Sequence, residues 1–263
     1  VGLFVGVAWA LLADRRRRTI STPQDLAEID ESITVLGVIP SDLDADSVVA
    51  GSDTLDSARR IASLLRRLAR ESSSTRVVLT TPAEKSAAVV TAQLASALSE
   101  AGQSTVLVDA DLRTAHLSEL LGHEHSSGLA DAVLSRADAV AVHPLAVQLS
   151  FVAAGKLDGD AGAVVISRRT RELLTDAAPQ SSLSLLSVPP LLGSSDAGIL
   201  AQDAELLVIV ATTGQTRYTE GRDAIATARA AGISSPTVLL TVAPRPLAAE
   251  GVSPGRRRRS AAE

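Results

Sequence analysis

The chain has 263 residues, 46% hydrophobic and 21% charged, which is enough apolar material for a packed α/β domain and excludes wholesale disorder. Its only aromatics are Phe4, Trp9, Phe151 and Tyr218, so stacking platforms for single-stranded nucleic acid are excluded, and a net charge of −5 argues against general nucleic-acid binding. The lack of cysteine excludes disulfides, thiolate zinc sites and cysteine nucleophiles.

Residues 1–13 are uncharged and apolar, and are followed by Asp14 and the cluster Arg15, Arg16, Arg17 and Arg18. As a helix they cover about 20 Å, short of the roughly 30 Å hydrocarbon core. Two readings compete: a short buried helix, or the cytoplasmic end of a transmembrane helix. Four arginines directly after the apolar run favour the second, and the positive-inside rule puts the following residues on the cytoplasmic side of an inner or plasma membrane. With Val1 first and no methionine, the sequence reads as a piece of a longer protein. Thr22 and Pro23 open a short helix to residue 29. Residues 34–39 read as a strand stopped by Pro40, and 41–53 as an acidic linker. Residues 56–70 carry Ile61, Leu64, Leu65 and Leu68 at helical spacing, with arginines opposite.

From Arg76 onward strands and helices alternate. The pattern predicts strands at 77–81, 105–109, 149–153, 183–188, 206–211 and 237–242, and helices at 85–101, 115–121, 129–134, 168–177, 196–203 and 219–231. Several strands are apolar on both faces, as buried parallel strands are. The expected fold is therefore α/β, a doubly wound and mainly parallel sheet, with ligands bound at the carboxyl ends of its strands. The expected domains are 1–18 (transmembrane end and arginine cluster), 19–54 (juxtamembrane segment and linker), 55–245 (the α/β body) and 246–263 (a flexible basic tail holding Arg256, Arg257, Arg258 and Arg259).

Two strand ends carry candidate chemistry. After the first strand of the body, Lys85 and Ser86 open a helix, the place of a phosphate loop, where Lys would bind phosphate and Ser would meet Mg²⁺. Residues 80–88 contain no glycine, and Glu84-Lys85 also reads as an ordinary helix start. The second strand ends in Asp109-Ala110-Asp111-Leu112-Arg113, two carboxylates at i and i+2 that suit Mg²⁺–water organisation and base work, or a plain acidic strand end. Arg113 reads either as a salt-bridge partner or as a phosphate contact. His116, His123, His125 and His143 are scattered and do not read as a ligand set.

Asp109 to Arg113 resembles the DxDxR motif of the bacterial tyrosine kinases tied to polysaccharide co-polymerases, relatives of the MinD/ParA P-loop ATPases. Gly37-Val38-Ile39-Pro40 is similar to the GxIP segment that follows that family's second membrane helix. Gly128-Leu129-Ala130-Asp131, Ala153-Ala154-Gly155, Arg171-Glu172-Leu173-Leu174, the Pro189-Pro190 segment through Asp196-Ala197, and Gly214-Gln215-Thr216-Arg217 follow in the family's order. The resemblance implies ATP and Mg²⁺ as cofactors, a polysaccharide polymerase or export machinery as partner, membrane attachment through the N-terminal helix and a homo-oligomer. It gives Lys85 and Arg113 to the nucleotide, Ser86 and Asp111 to Mg²⁺, and Asp109 to activation of the accepting hydroxyl. Departures are as informative. The family's lysine lies about six residues before an Asn-Leu-Ala; here Lys85 lies eight before Gln93-Leu94-Ala95, and ungapped the lysine and hydroxyl fall on Ala87 and Ala88. Ser187 stands where the third motif has its aspartate, the C-terminal tyrosine cluster is missing, and the family's ExxRxxR assembly motif is blurred around 56–63. The expectation is a kinase-like domain with a degenerate nucleotide site, assisting capsular or exopolysaccharide chain-length control. The alternatives are an active ATP-dependent tyrosine autokinase and a MinD/ParA-type positioning ATPase.

Overall fold

Strands that are apolar on both sides need cover on both faces, and the chain supplies it by alternating helices with strands. The computed structural model describes residues 18–40, 52–71, 75–83, 86–178, 182–202, 204 and 206–242, with the backbone alone at 52–55. In chain order the elements are α1 (Pro23–Ile29), β1 (Thr34–Pro40), α2 (Ser52–Glu71), β2 (Arg76–Thr80), α3 (Ala88–Glu100), β3 (Thr105–Asp109), α4 (His116–Leu120), α5 (Leu129–Leu134) and β4 (His143–Ala146). They continue as β5 (Leu149–Val152), α6 (Ala161–Ile166), α7 (Arg168–Asp176), β6 (Leu183–Ser187), α8 (Asp196–Gln202), β7 (Leu206–Thr213), α9 (Tyr218–Ala230) and β8 (Thr237–Val242). The strands form one eight-stranded sheet in the order β1-β8-β7-β2-β6-β3-β5-β4. Every pairing is parallel except β4 with β5.

The period of two along each strand divides the core. Val78, Val106, Val108, Leu186, Leu207, Ile209, Val238 and Leu240 face one layer, built from α5 to α9. Val77, Leu79, Leu107, Leu185, Val208 and Leu239 face the other, built from α2, α3 and Leu117 of α4. With so few aromatics, alanine does much of the packing: Ala88, Ala92, Ala95 and Ala97 bring α3 close to the sheet.

Four features differ from the sequence reading. α3 begins at Ala88 rather than at residue 85, because the Ala88 N–H is turned onto Ser86 Oγ at 3.1 Å. The strand at 34–40, assigned above to a juxtamembrane stretch, is the sheet's edge strand and pairs with β8, so the packed fold extends to the N-terminal side of residue 55. β4 was not expected: four residues that include Pro144 give no usable periodicity, and proline is tolerated there because the strand lies at an edge. α6 was not expected either, since Gly162 and β-branched Val164, Val165 and Ile166 favour helix weakly; its start is fixed by Asp160, which accepts from Gly162 N at 3.0 Å.

Residues 18–20 strap the sheet's carboxyl edge. Ile20 N donates to Thr216 O at 2.9 Å, Gly214 N to Ile20 O at 2.8 Å, and Tyr218 N to Arg18 O at 2.9 Å. Ile20 is fully buried over Gly221, where an added Cβ would lie 2.5 Å from Ile20 Cδ1. Arg18 meets Asp25 and Glu28, each at 2.7 Å, and lies over the Tyr218 ring at 4.6 Å. The Asp25 carboxyl is held well below the usual carboxylate range, first by the Ser21 N–H and then by Arg18. No helix among the described residues is long and apolar enough to cross a membrane. The expected membrane segment at 1–13, Arg15 to Arg17, most of the linker and the basic segment at 246–263 lie outside the described residues.

Two motif segments far apart in sequence meet behind β5. Leu129 N donates to Ala153 O and Ala130 N to Ala154 O, both at 2.9 Å, while Asp131 Oδ2 accepts from Gly128 N at 2.9 Å and Lys156 N at 3.0 Å. A Cβ on Gly128 would sit 2.1 Å from Ala153 O, a backbone atom that cannot swing away. Gly128→Ala should therefore cost about 3 kcal/mol, at the upper end of overpacking penalties. Gly102, left-handed at φ +75° but with open space around its missing Cβ, should cost only about 1–2 kcal/mol as Ala. Urea unfolding of both variants checks the difference.

Candidate functional site

The carboxyl ends of β2, β6 and β3 lie side by side, with Leu79, Ser187 and Asp109 in register. The exit of β2 is tied to the proline pair after β6. Thr80 Oγ1 donates to Pro189 O at 2.7 Å, Leu191 N to Thr81 O at 2.9 Å, and Leu192 N to Pro82 O at 3.0 Å. At the head of α3, Ser86 Oγ is occupied by the Ala88 N–H, and the side chains of Ala87 and Ala88 are buried. Thr91 donates to Ala87 O from both its N–H (2.9 Å) and its hydroxyl (2.8 Å), which closes the first helical turn. Lys85, like Glu84, lies outside the described residues.

Asp109 is fully buried. Its Oδ2 accepts from Ser118 N and Ser118 Oγ, both at 2.8 Å, and its Oδ1 accepts from Asp111 N at 3.2 Å. Burial pushes its carboxyl up to about 6, against the pull of the Ser118 donors. Asp111 is also buried; Oδ1 accepts from Arg113 N and Thr114 N, both at 3.2 Å, and Oδ2 from Thr114 Oγ1. Thr114 Oγ1 in turn lies 3.0 Å from His116 Nδ1. Both carboxylates are thus satisfied by the turn that follows β3, and each holds that turn in shape.

Arg113 reaches Asp196 at the start of α8, with Nε and Nη2 both 3.1 Å from Oδ2. Asp196 is buried, its Oδ1 has no hydrogen-bond partner, and Arg113 is half-exposed. Beside this edge, between the ends of β2 and β7, lies a cleft of about 180 Å³ lined by Thr81, Pro82, Thr212, Gln215, Thr216 and Glu220 among others. Small-molecule pockets usually occupy roughly 300–1,000 Å³. Among the described residues no group of three or more His, Asp or Glu could hold a metal ion.

The fold thus gathers Ser86, Asp109, Asp111 and Arg113 onto one edge of the sheet. It also shows their partners, which sequence reasoning missed. Ser118 lies nine residues after Asp109 and is an ordinary helix serine by pattern, while Asp196 lies in the third motif segment with nothing to link it to Arg113.

No family model matches the chain. EpsB of Ralstonia nicotianae, provisionally named a tyrosine-protein kinase, is 28% identical over 244 residues, which cover 83% of this chain and 32% of that protein. The chain is homologous to the bacterial tyrosine-protein kinases. It spans about a third of the length of that relative. The fold agrees: the BceF tyrosine kinase domain superposes with a TM-score of 0.74 at 22% identity, covering 86% of this chain and 100% of that one. The kinase domain of the Escherichia coli tyrosine kinase ETK gives 0.76 at 20% identity, covering 86% and 96%.

Two predictions follow the edge's electrostatics. Arg113→Ala strands Asp196 as a buried, unpaired charge. The loss for a fully buried pair is roughly 3–5 kcal/mol, and because Arg113 is half-exposed about 2 kcal/mol is expected from urea unfolding. Asp109, raised by burial to about 6 in the folded chain from an ordinary 3.8, binds its proton more tightly in the folded state. Its contribution to stability is full below the unfolded value and is lost as pH rises through the folded one. Between pH ~4 and ~6.5 the wild type should lose on the order of 1–3 kcal/mol relative to Asp109→Asn, whose stability stays flatter across this window.

Proposed function

We propose that this chain is the kinase-like domain of a membrane polysaccharide co-polymerase whose nucleotide site has degenerated, and that it acts in capsular or exopolysaccharide biosynthesis as a binding and assembly element. The observation that carries this reading is the head of α3, where buried Ala87 and Ala88 occupy the ungapped positions of the family's phosphate-binding lysine and Mg²⁺ hydroxyl. Alanine offers neither charge nor ligand. Several further features support the reading. A phosphate cradle needs converging N–H groups, and the residues from Thr80 to Ala88 include Pro82, which has none, and no glycine. The Ser86 hydroxyl caps its own helix, and Asp109 and Asp111 are saturated by internal donors. Ser187 sits between Leu79 and Asp109 where the third motif has a carboxylate. The described residues do not fit a bound ATP–Mg²⁺.

Residues 1–13 are proposed as the end of a membrane helix, with Arg15 to Arg18 on its cytoplasmic side, on the strength of the apolar run joined to that arginine cluster. The strap at 18–20 ties the chain to the sheet immediately after this arginine cluster. The polymerase or export machinery as partner, and a homo-oligomeric parent, are carried over from the family. The names of the relatives favour a second reading, an active tyrosine autokinase. It would use Lys85 and Ser86 in a re-spaced loop, with Mg²⁺ held by Ser86 and Asp111.

Calorimetry of the chain with ATP and Mg²⁺ separates the two. Weak or absent binding is expected, with no transfer from labelled ATP to Tyr218, the only tyrosine. Losing one electrostatic contact to a transferring phosphoryl group costs roughly 10²–10³ in rate, and several are missing here. Transfer or hydrolysis that disappears in Lys85→Ala would establish the kinase reading instead. Lys85 suits this control better than Asp109, whose removal would also release α4.

A further inference from the structure

We propose that His123 and His143 form a binding site for a borderline divalent transition-metal ion such as Zn²⁺, joining edge strand β4 to the loop between α4 and α5. The two residues are twenty apart in sequence, and the fold stacks their rings at a centroid distance of 4.7 Å and a tilt of 43°. Each ring has one nitrogen beside a protein oxygen: His123 Nδ1 is 2.9 Å from Ser126 Oγ, and His143 Nε2 is 3.3 Å from Ser127 O. A carbonyl only accepts, so Nε2 of neutral His143 carries the proton and Nδ1 keeps its lone pair. The Ser126 hydroxyl can accept as well as donate, and in the tautomer in which His123 Nδ1 donates to it Nε2 of His123 is bare in the same way. Metal-binding imidazoles are oriented by such second hydrogen bonds. Two nitrogens on one tetrahedral ion lie about 3.3 Å apart, a separation that neighbouring rings can present.

The surroundings suit such an ion. His123 packs on Phe151 at 5.4 Å, and β4 sets His143 in register opposite the same phenylalanine. Both residues are only partly buried, which leaves a path for the ion. The chain has no cysteine to compete for a soft metal. No third protein ligand completes the group among the described residues, so water fills the other positions and the ion is exchangeable. The site lies away from the β2–β6–β3 edge but is coupled to it. His123 N donates to Ser118 O at 2.8 Å, and Ser118 is the residue that holds Asp109.

The test is calorimetric titration of the untagged chain, in detergent, with Zn²⁺ at pH 7.5. One equivalent should bind with a micromolar dissociation constant, weakening at least ~10-fold at pH 5.5, because protons compete with the metal for the ligand lone pairs. His143→Gln keeps a donor for Ser127 O while removing the ligand, and should weaken binding at least ~10-fold with an unchanged circular dichroism spectrum; His123→Gln should do the same. His125→Ala should leave the affinity within about twofold. No binding beyond that of the His123→Gln/His143→Gln double variant would overturn the proposal. So would a loss that follows His125 rather than His143, because that would mark adventitious chelation within the loop.

Discussion

A carboxylate at the end of a fully buried strand has to be supplied with donors, and much of the carboxyl edge of this sheet is arranged by that requirement. Asp109 takes the N–H and hydroxyl of Ser118, and this draws α4 against the end of β3. The Ser118 hydroxyl then accepts from Ala154 N at 3.0 Å, and the Ala154 carbonyl accepts from Ala130 N. One chain of hydrogen bonds therefore runs from β3 through α4 to the end of β5 and into α5. Gly128 and Gly155 belong to it because only residues without Cβ fit between Ala153 O and the Asp131 carboxylate. Removing the first carboxylate would loosen the turns that depend on it in sequence.

The same bonds show that the sheet's integrity does not depend on phosphate chemistry at its edge. Fold resides in two apolar layers and in backbone pairing, whereas phosphate binding resides in a few loop residues. Asp109 and Asp111 have structural work in this chain whether or not a nucleotide is bound, because an unsatisfied buried carboxylate would be costly. Their retention is accordingly weak evidence for catalysis. At the head of α3 the buried Ala87 and Ala88 contribute packing against the sheet and no polar group.

The strap at 18–20 connects this body to whatever precedes it. Its bonds go to the turn between β7 and α9, beside the cleft lined by Thr216 and Glu220. Arg18, the first described residue, is held by two carboxylates and the face of Tyr218. A pull on the chain at Arg18 therefore reaches the carboxyl edge through these backbone hydrogen bonds.

Sequence periodicity by itself determined the parallel α/β plan. Strands that are apolar on both faces admit little else, and six strands of the body, with most of their helices, are where the pattern puts them. The order of the short motifs determined the kinship, since glycine, aspartate and proline at set spacings survive where overall identity is low. What the sequence left open were contacts between residues distant along the chain. Arg113 had two readings until the fold put Asp196 within 3.1 Å of it. Asp109 read either as a strand-end base or as a plain acidic strand end until the fold closed Ser118 over it. The strand at 34–40 read as an outlying segment because nothing local says which strand it will join, and only the packed sheet placed it beside β8. Local propensity and burial act over a few residues and leave a periodic trace. The partner of a charge, a carboxylate or an edge strand is chosen by three-dimensional proximity, which leaves no trace in a single sequence.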